Sequence, residues 1–170
     1  MLQIETFTVN MIQENCYVLS DETQEAVIID DGAYYPEEKQ GIEDYIDSNG
    51  LKPVHLLNTH AHFDHSFGNH AIYQRYGLKT ELHPADAKLF SSLSQQAQII
   101  MRVRLNIEDS PIGRFLNEGD TVTFGHHTLR VIETPGHTPG GICFYCEAEK
   151  VIFSGDSLFW QSIGRTDFPE

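Results

Sequence analysis

Asn58-Thr59-His60-Ala61-His62-Phe63-Asp64-His65 puts three imidazoles and a carboxylate within six residues, directly after the apolar-rich run at 54–58. In an extended segment residues two apart point the same way, so His60 and His62 can converge on one ion. The chain must then turn for Asp64 and His65 to face back, where they suit a second, adjacent ion. A helical H-E-x-x-H pair instead sets its ligands one turn apart. Imidazole and carboxylate lone pairs suit zinc or non-haem iron in an open catalytic site.

With 9 histidines in the chain, one cluster does not decide the matter. Two later segments share its character. Thr134-Pro135-Gly136-His137-Thr138-Pro139-Gly140 holds a histidine in a turn pinned by glycine and proline, after a strand pattern at 128–133. Ser154-Gly155-Asp156 sets a carboxylate at the end of another, at 151–153. Glycine beside each lets the backbone approach something closely. Ligands at the ends of several strands, on one rim of a sheet, are how layered α/β folds build sites.

Further strand patterns lie at 3–9, 16–19, 26–29, 79–82, 121–124 and 141–145. Pro36-Glu37-Glu38 opens a helix that Asn49-Gly50 closes, with Ile42, Tyr45 and Ile46 on one face. Residues 71–76 read as helix, 84–103 as one long polar helix, and 104–118 as an irregular crossing loop. A single α/β domain spanning 1–170 is expected.

Lys and Arg number 11 against 25 Asp and Glu, a formal charge of −14. That balance repels phosphate backbones and anionic lipid, so neither nucleic acid nor a membrane is an expected partner. No apolar stretch approaches the ~20 residues of a membrane helix. The N-terminus lacks a basic segment followed by an apolar block, and Cys16, Cys143 and Cys146 are an odd count, so a reducing, cytoplasmic setting is expected.

Through T-H-A-H-F-D-H at 59–65, P-G-H-T-P-G at 135–140 and S-G-D at 154–156, the chain resembles the metallo-β-lactamase superfamily. Gly32 fits a turn of that family, with Asp31 where a proline is usual. Gly164-Arg165-Thr166-Asp167-Phe168-Pro169 resembles the glyoxalase II-like hydrolases and their persulfide dioxygenase relatives. The resemblance implies a four-layer αββα sandwich. It implies a first metal on His60, His62 and His137, a second on Asp64 and His65, and Asp156 bridging both. Zinc is expected, as one or two ions, though the same set accepts iron or manganese. Short members of the family continue past this arginine motif with a helix, a strand and a G-H-G segment whose histidine completes the second site. The chain is therefore expected to lack its C-terminal strand and helix, to leave an open edge suited to a homodimer, and to hold its second ion weakly or not at all.

The implied activity is hydrolysis of a small acyl thioester or ester by an ion-activated hydroxide, with Asp64 orienting the nucleophilic water. Asp30 and Thr59 are candidates by position for fixing imidazole tautomers, with a plain turn residue the alternative for Asp30. Arg165 either binds an acidic substrate or, the favoured role, ties down the site loop through an ion pair. The alternatives are an iron persulfide dioxygenase on His60, His137 and Asp156, and a scaffold without catalysis. Cys143 and Cys146, three apart on a strand, point to opposite faces and are expected to pack rather than share an ion. His126-His127 reads as a solvated hairpin turn, Tyr34-Tyr35 as aromatics near a turn, and Glu37, Glu38, Glu43 and Asp44 as a solvated helix face.

Overall fold

The computed structural model describes residues 1–168, so Pro169 of the arginine phrase lies outside the described residues. Alternating Gln3–Val9 (β1), Glu14–Ser20 (β2) and Glu25–Ile29 (β3) pair antiparallel in sequence order. β3 then pairs in parallel with Lys52–Leu57 (β4), β4 with Thr80–Leu82 (β5), and β5 with Ile112–Phe115 (β6). The result is a six-stranded mixed sheet in the order β1 to β6. Thr121–Phe124 (β7), His127–Glu133 (β8), Ile142–Cys146 (β9) and Val151–Phe153 (β10) make a second, antiparallel sheet, and Leu158–Phe159 (β11) with Ser162–Ile163 (β12) a small hairpin.

The period-2 apolar pattern decides how the sheets stack. Leu19, Val27, Ile29 and Leu57 on one face of the first sheet pack against Val122, Leu129, Val131 and Phe144 of the second. Val18, Ala26, Ile28 and Leu56, on the opposite face, bury Ile42 and Ile46 of helix α1 (Pro36–Ser48) and Ile72 of helix α2 (Asn69–Tyr76). The layers are thus helices, sheet, sheet. Among the described residues no helix contributes to the core between the two sheets. Each large apolar side chain buried there contributes roughly 1.5–3 kcal/mol.

Three expectations need correction. Residues 84–103 are not one helix: a 3-10 turn at Pro84–Asp86 leads to Ala87–Phe90 (α3), and Leu93–Met101 (α4) follows a break. Ser91 and Ser92 cause the break. Their hydroxyls donate to the carbonyls of Lys88 and Leu89, offering the backbone a local alternative to continued helix. The span 104–118 is not all loop, because β6 adds a parallel strand to β5 across a bulge at Thr80/Glu81. Only half-buried Ile112 and exposed Phe115 are apolar in β6, too few for the sequence pattern to register. Finally, His127 is buried rather than solvated: it bridges Asp21 (2.9 Å) and Glu149 (3.0 Å) and stacks on Phe124, while His126 does face solvent.

Candidate metal centre

β4 delivers the chain into a loop in which every residue from 58 to 69 is buried. A buried loop must satisfy its own polar groups. Asn58 does much of this, donating through Nδ2 to the His65 carbonyl (2.8 Å) and accepting at Oδ1 from Asn69 (2.7 Å). Asp64 and His65 sit on the 3-10 turn Phe63–His65, which supplies the expected reversal after the extended His60–His62 pair. Asp30, just past β3, accepts from the Thr59 backbone N–H (2.7 Å), from its hydroxyl (2.6 Å), and from His65 Nδ1 (3.1 Å). Asp31 closes the turn with its side chain, accepting from the Ala33 N–H at 3.1 Å.

The six expected residues are brought together. One ring nitrogen from each of His60, His62 and His137 lies within 4.8 Å of the others, and His62 Nδ1 faces His137 Nε2 at 2.9 Å. His137 donates from Nδ1 to the Arg165 carbonyl at 2.9 Å, which leaves Nε2 facing the cluster. Asp156, at the end of β10, reaches both sides: Oδ2 is 3.2 Å from His137 Nε2 and Oδ1 is 3.2 Å from His65 Nε2. Asp64 Oδ2 is 3.6 Å from that same His65 nitrogen. His60 Nε2 is enclosed yet has no hydrogen-bond partner among the described residues. A buried nitrogen left unpaired costs about 1–3 kcal/mol, and a metal ion would satisfy it. The residues therefore suit one ion on His60, His62 and His137; His60, His65 and Asp156 form a second such group, with Asp64 beside it only through the 3.6 Å approach to His65 Nε2.

Electrostatics favour ligation by His60 and His62. Burial, aided by the other imidazoles, pushes His60 well below its usual range and His62 down to about 3. Both are thus neutral and able to ligate at neutral pH. For His65 burial acts the same way, but the Asp30 and Glu14 carboxylates outweigh it and hold the imidazole well above the usual range. Burial would raise Asp156, but hydrogen bonds from His137 and His65 keep it far below a normal carboxylate.

Sequence reasoning missed Asp86. Wholly buried at the end of the Pro84–Asp86 turn, it accepts from the Ala61 N–H (2.9 Å), the Thr138 hydroxyl (2.8 Å) and the Gly140 N–H (2.7 Å). It therefore ties the His60–His62 loop to the His137 loop. Its only signal was an acid after His83-Pro84, placed within the supposed long helix. Arg165 pairs with Asp167 (2.7 and 3.1 Å) and lies over the Phe168 ring, which in turn packs against His62 and His137. Cys143 and Cys146 are buried and free, Cys146 within the inter-sheet core.

The model of the metallo-beta-lactamase superfamily matches residues 9–170. The hydroxyacylglutathione hydrolase GloC of Haemophilus influenzae is 39% identical over 171 residues, which cover 99% of this chain and 77% of GloC. The crystal structure of the BLEG-1 B3 metallo-beta-lactamase superposes with a TM-score of 0.87 at 32% identity, over 98% of this chain and 78% of that one. The structure of TTHA1623 in a di-iron-bound form gives 0.83 at 33% identity, over 97% and 78%. With the histidine and aspartate motifs converging from strand ends of both sheets, the chain belongs to the metallo-beta-lactamase superfamily.

Proposed function

We propose that this chain is a metal-dependent hydrolase of a small acyl thioester or ester, of the hydroxyacylglutathione hydrolase kind. The observation that carries this reading is the unpaired, enclosed His60 Nε2 beside the facing nitrogens of His62 and His137. The 39% identity with GloC supports the substrate class. Zinc is the ion we favour, with iron the nearest alternative because TTHA1623 was crystallised with two irons. When bound, such ions lower the pKa of a water toward neutrality and polarise a carbonyl.

The chain's own residues do the rest. His60, His62 and His137 would hold one ion and His65 with Asp64 the other, Asp156 being within reach of both His137 and His65. Asp64, whose carboxylate lines the cleft, would orient the attacking water by accepting a hydrogen bond from it. A cleft of about 360 Å3 opens over Asp64 and His137 between Phe63, Ile100, Phe159 and Phe168. These apolar walls suit the acyl group of such a substrate. Arg165 lines the same cleft, so an acidic end of the substrate can meet it there. Three buried free cysteines suit a reducing, cytoplasmic setting.

The test is hydrolysis of lactoyl-glutathione and of simple acyl thioesters by metal-loaded protein, beside oxygen uptake with glutathione persulfide. Thioester hydrolysis that His62→Ala lowers by at least about 100-fold is the expected result. Oxygen uptake without hydrolysis would assign a dioxygenase instead.

A further inference from the structure

Glu14, the first residue of β2, has its side chain buried without a hydrogen bond among the described residues, and the charged neighbour within reach of it is the His65 imidazole. It is 6% exposed, and neither carboxylate oxygen has a hydrogen-bond partner among the described residues. Space is made for it: a Cβ on Gly32 would fall 2.3 Å from Oε2 and 2.0 Å from the Asp64 carbonyl. Its Oε1 stands 3.5 Å from His65 Nδ1, beside the Asp30 Oδ2 that accepts from the same nitrogen at 3.1 Å. One ligand atom from each of Glu14, Asp30 and His65 falls within a 4.8 Å group. Past the imidazole, His65 Nε2 faces Asp156 and Asp64. Four carboxylates, those of Glu14, Asp30, Asp64 and Asp156, therefore line one cavity of about 430 Å3 with His65 among them.

A buried carboxylate without donors, set among other acids, lowers the stability of the fold by itself. Such a residue is accounted for when a bound cation offsets its charge. We propose that Glu14 is a positioning residue for the second ion: with Asp30 it brackets the Nδ1 edge of His65, so that Nε2 is presented beside Asp64 and Asp156 and the local negative charge favours a cation there. This role rests on the two-ion reading above. Asp30 is also engaged by Thr59, whereas the Glu14 side chain makes no hydrogen bond among the described residues and pairs there only with His65.

The test compares the whole chain with Glu14→Gln, which keeps shape and removes charge. Metal-free protein is titrated with zinc against a chromophoric chelator, and the thermal midpoint of each metal-free chain is measured at pH 8. Loss of an outer partner of a metal-bound histidine lowers affinity by about 10- to 100-fold. The variant is therefore expected to bind its first ion within about two-fold of the parent and its second 10- to 100-fold more weakly. Its metal-free midpoint should equal or exceed the parent's. That opposite movement of stability and second-site affinity is what a merely structural residue would not produce.

An unchanged second affinity overturns the proposal. So does a variant that fails to fold, or one whose metal-free midpoint and both affinities fall together. A parent chain that takes up only one ion also overturns it, leaving no second site to serve. A parent that takes up no ion removes the metal-centre reading itself, which separates that failure from the failure of Glu14 alone.

Discussion

At the scale of single residues, the centre depends on side chains that hold other side chains. Asp86 is the clearest case, since three donors from two loops meet on one buried carboxylate. Asp86→Asn presents an amide where a donor already points, leaving at least one buried donor unpaired. We expect a loss of about 2–4 kcal/mol in chemical denaturation and a first ion bound about 10- to 100-fold more weakly in zinc titration. Asp31 works in the opposite sense. Burial raises its carboxyl to about 6, and the Ala33 N–H only partly opposes this. With a folded value above the unfolded one, its cost is absent below the unfolded value near 3.8, grows as pH rises between the two, and is complete above about 6. Asp31→Asn keeps an oxygen for Ala33, so it should be more stable than the parent by roughly 2–3 kcal/mol at pH 7.5. The gap should close by about pH 4, and denaturation curves of both chains across that range will measure it.

At the scale of elements, the β11/β12 hairpin and the turn after it form one wall of the site. Gly164, just past β12, lies so close to the Asp156 loop that a Cβ would fall 1.7 Å from the Asp156 carbonyl and 3.2 Å from His137 Nδ1. Gly164→Ala should therefore displace Asp156 and cost about 100-fold in kcat/KM, with the circular dichroism spectrum unchanged. Gly41 is the contrasting case: it lies inside α1 with nothing within 4 Å of a built Cβ. Gly41→Ala should raise stability by about 0.5–1 kcal/mol without touching activity. The same elements show what the sequence could tell. β1 and β8 were legible because their period matches their burial, and β3 because a β-branched apolar run buried on both faces is itself a strand signal. The histidine and aspartate positions were legible because ligand spacing after a strand is a local signal. β6 and the break at Ser91-Ser92 were not, because each is decided by a partner distant in sequence or by side chains competing with the backbone, and β11 and β12, at 2 residues each, are too short to carry a period. His127 and Asp86 were missed for the same reason, since their partners lie up to 106 residues away.

At the scale of the whole molecule, the two sheets and the outer helices make a scaffold that brings three separate chain segments, near His60, His137 and Asp156, to one rim. Holding several buried acids and imidazoles there without a cation lowers stability, and ions bound only by the folded state restore it. Chelation of metal-loaded protein should therefore lower the thermal midpoint. At a free metal concentration a thousandfold above Kd the effect is about 4 kcal/mol, or roughly 10 °C for a chain of this size. The claim on which all of this depends is that the His60, His62, His137, Asp64, His65 and Asp156 cluster holds metal. It is tested most directly by elemental mass spectrometry on protein purified without added metal. The account predicts at least one zinc or iron ion per chain, lost when His60 and His62 are both replaced by alanine. A folded chain that stays free of metal, even after incubation with zinc or ferrous iron, would contradict it.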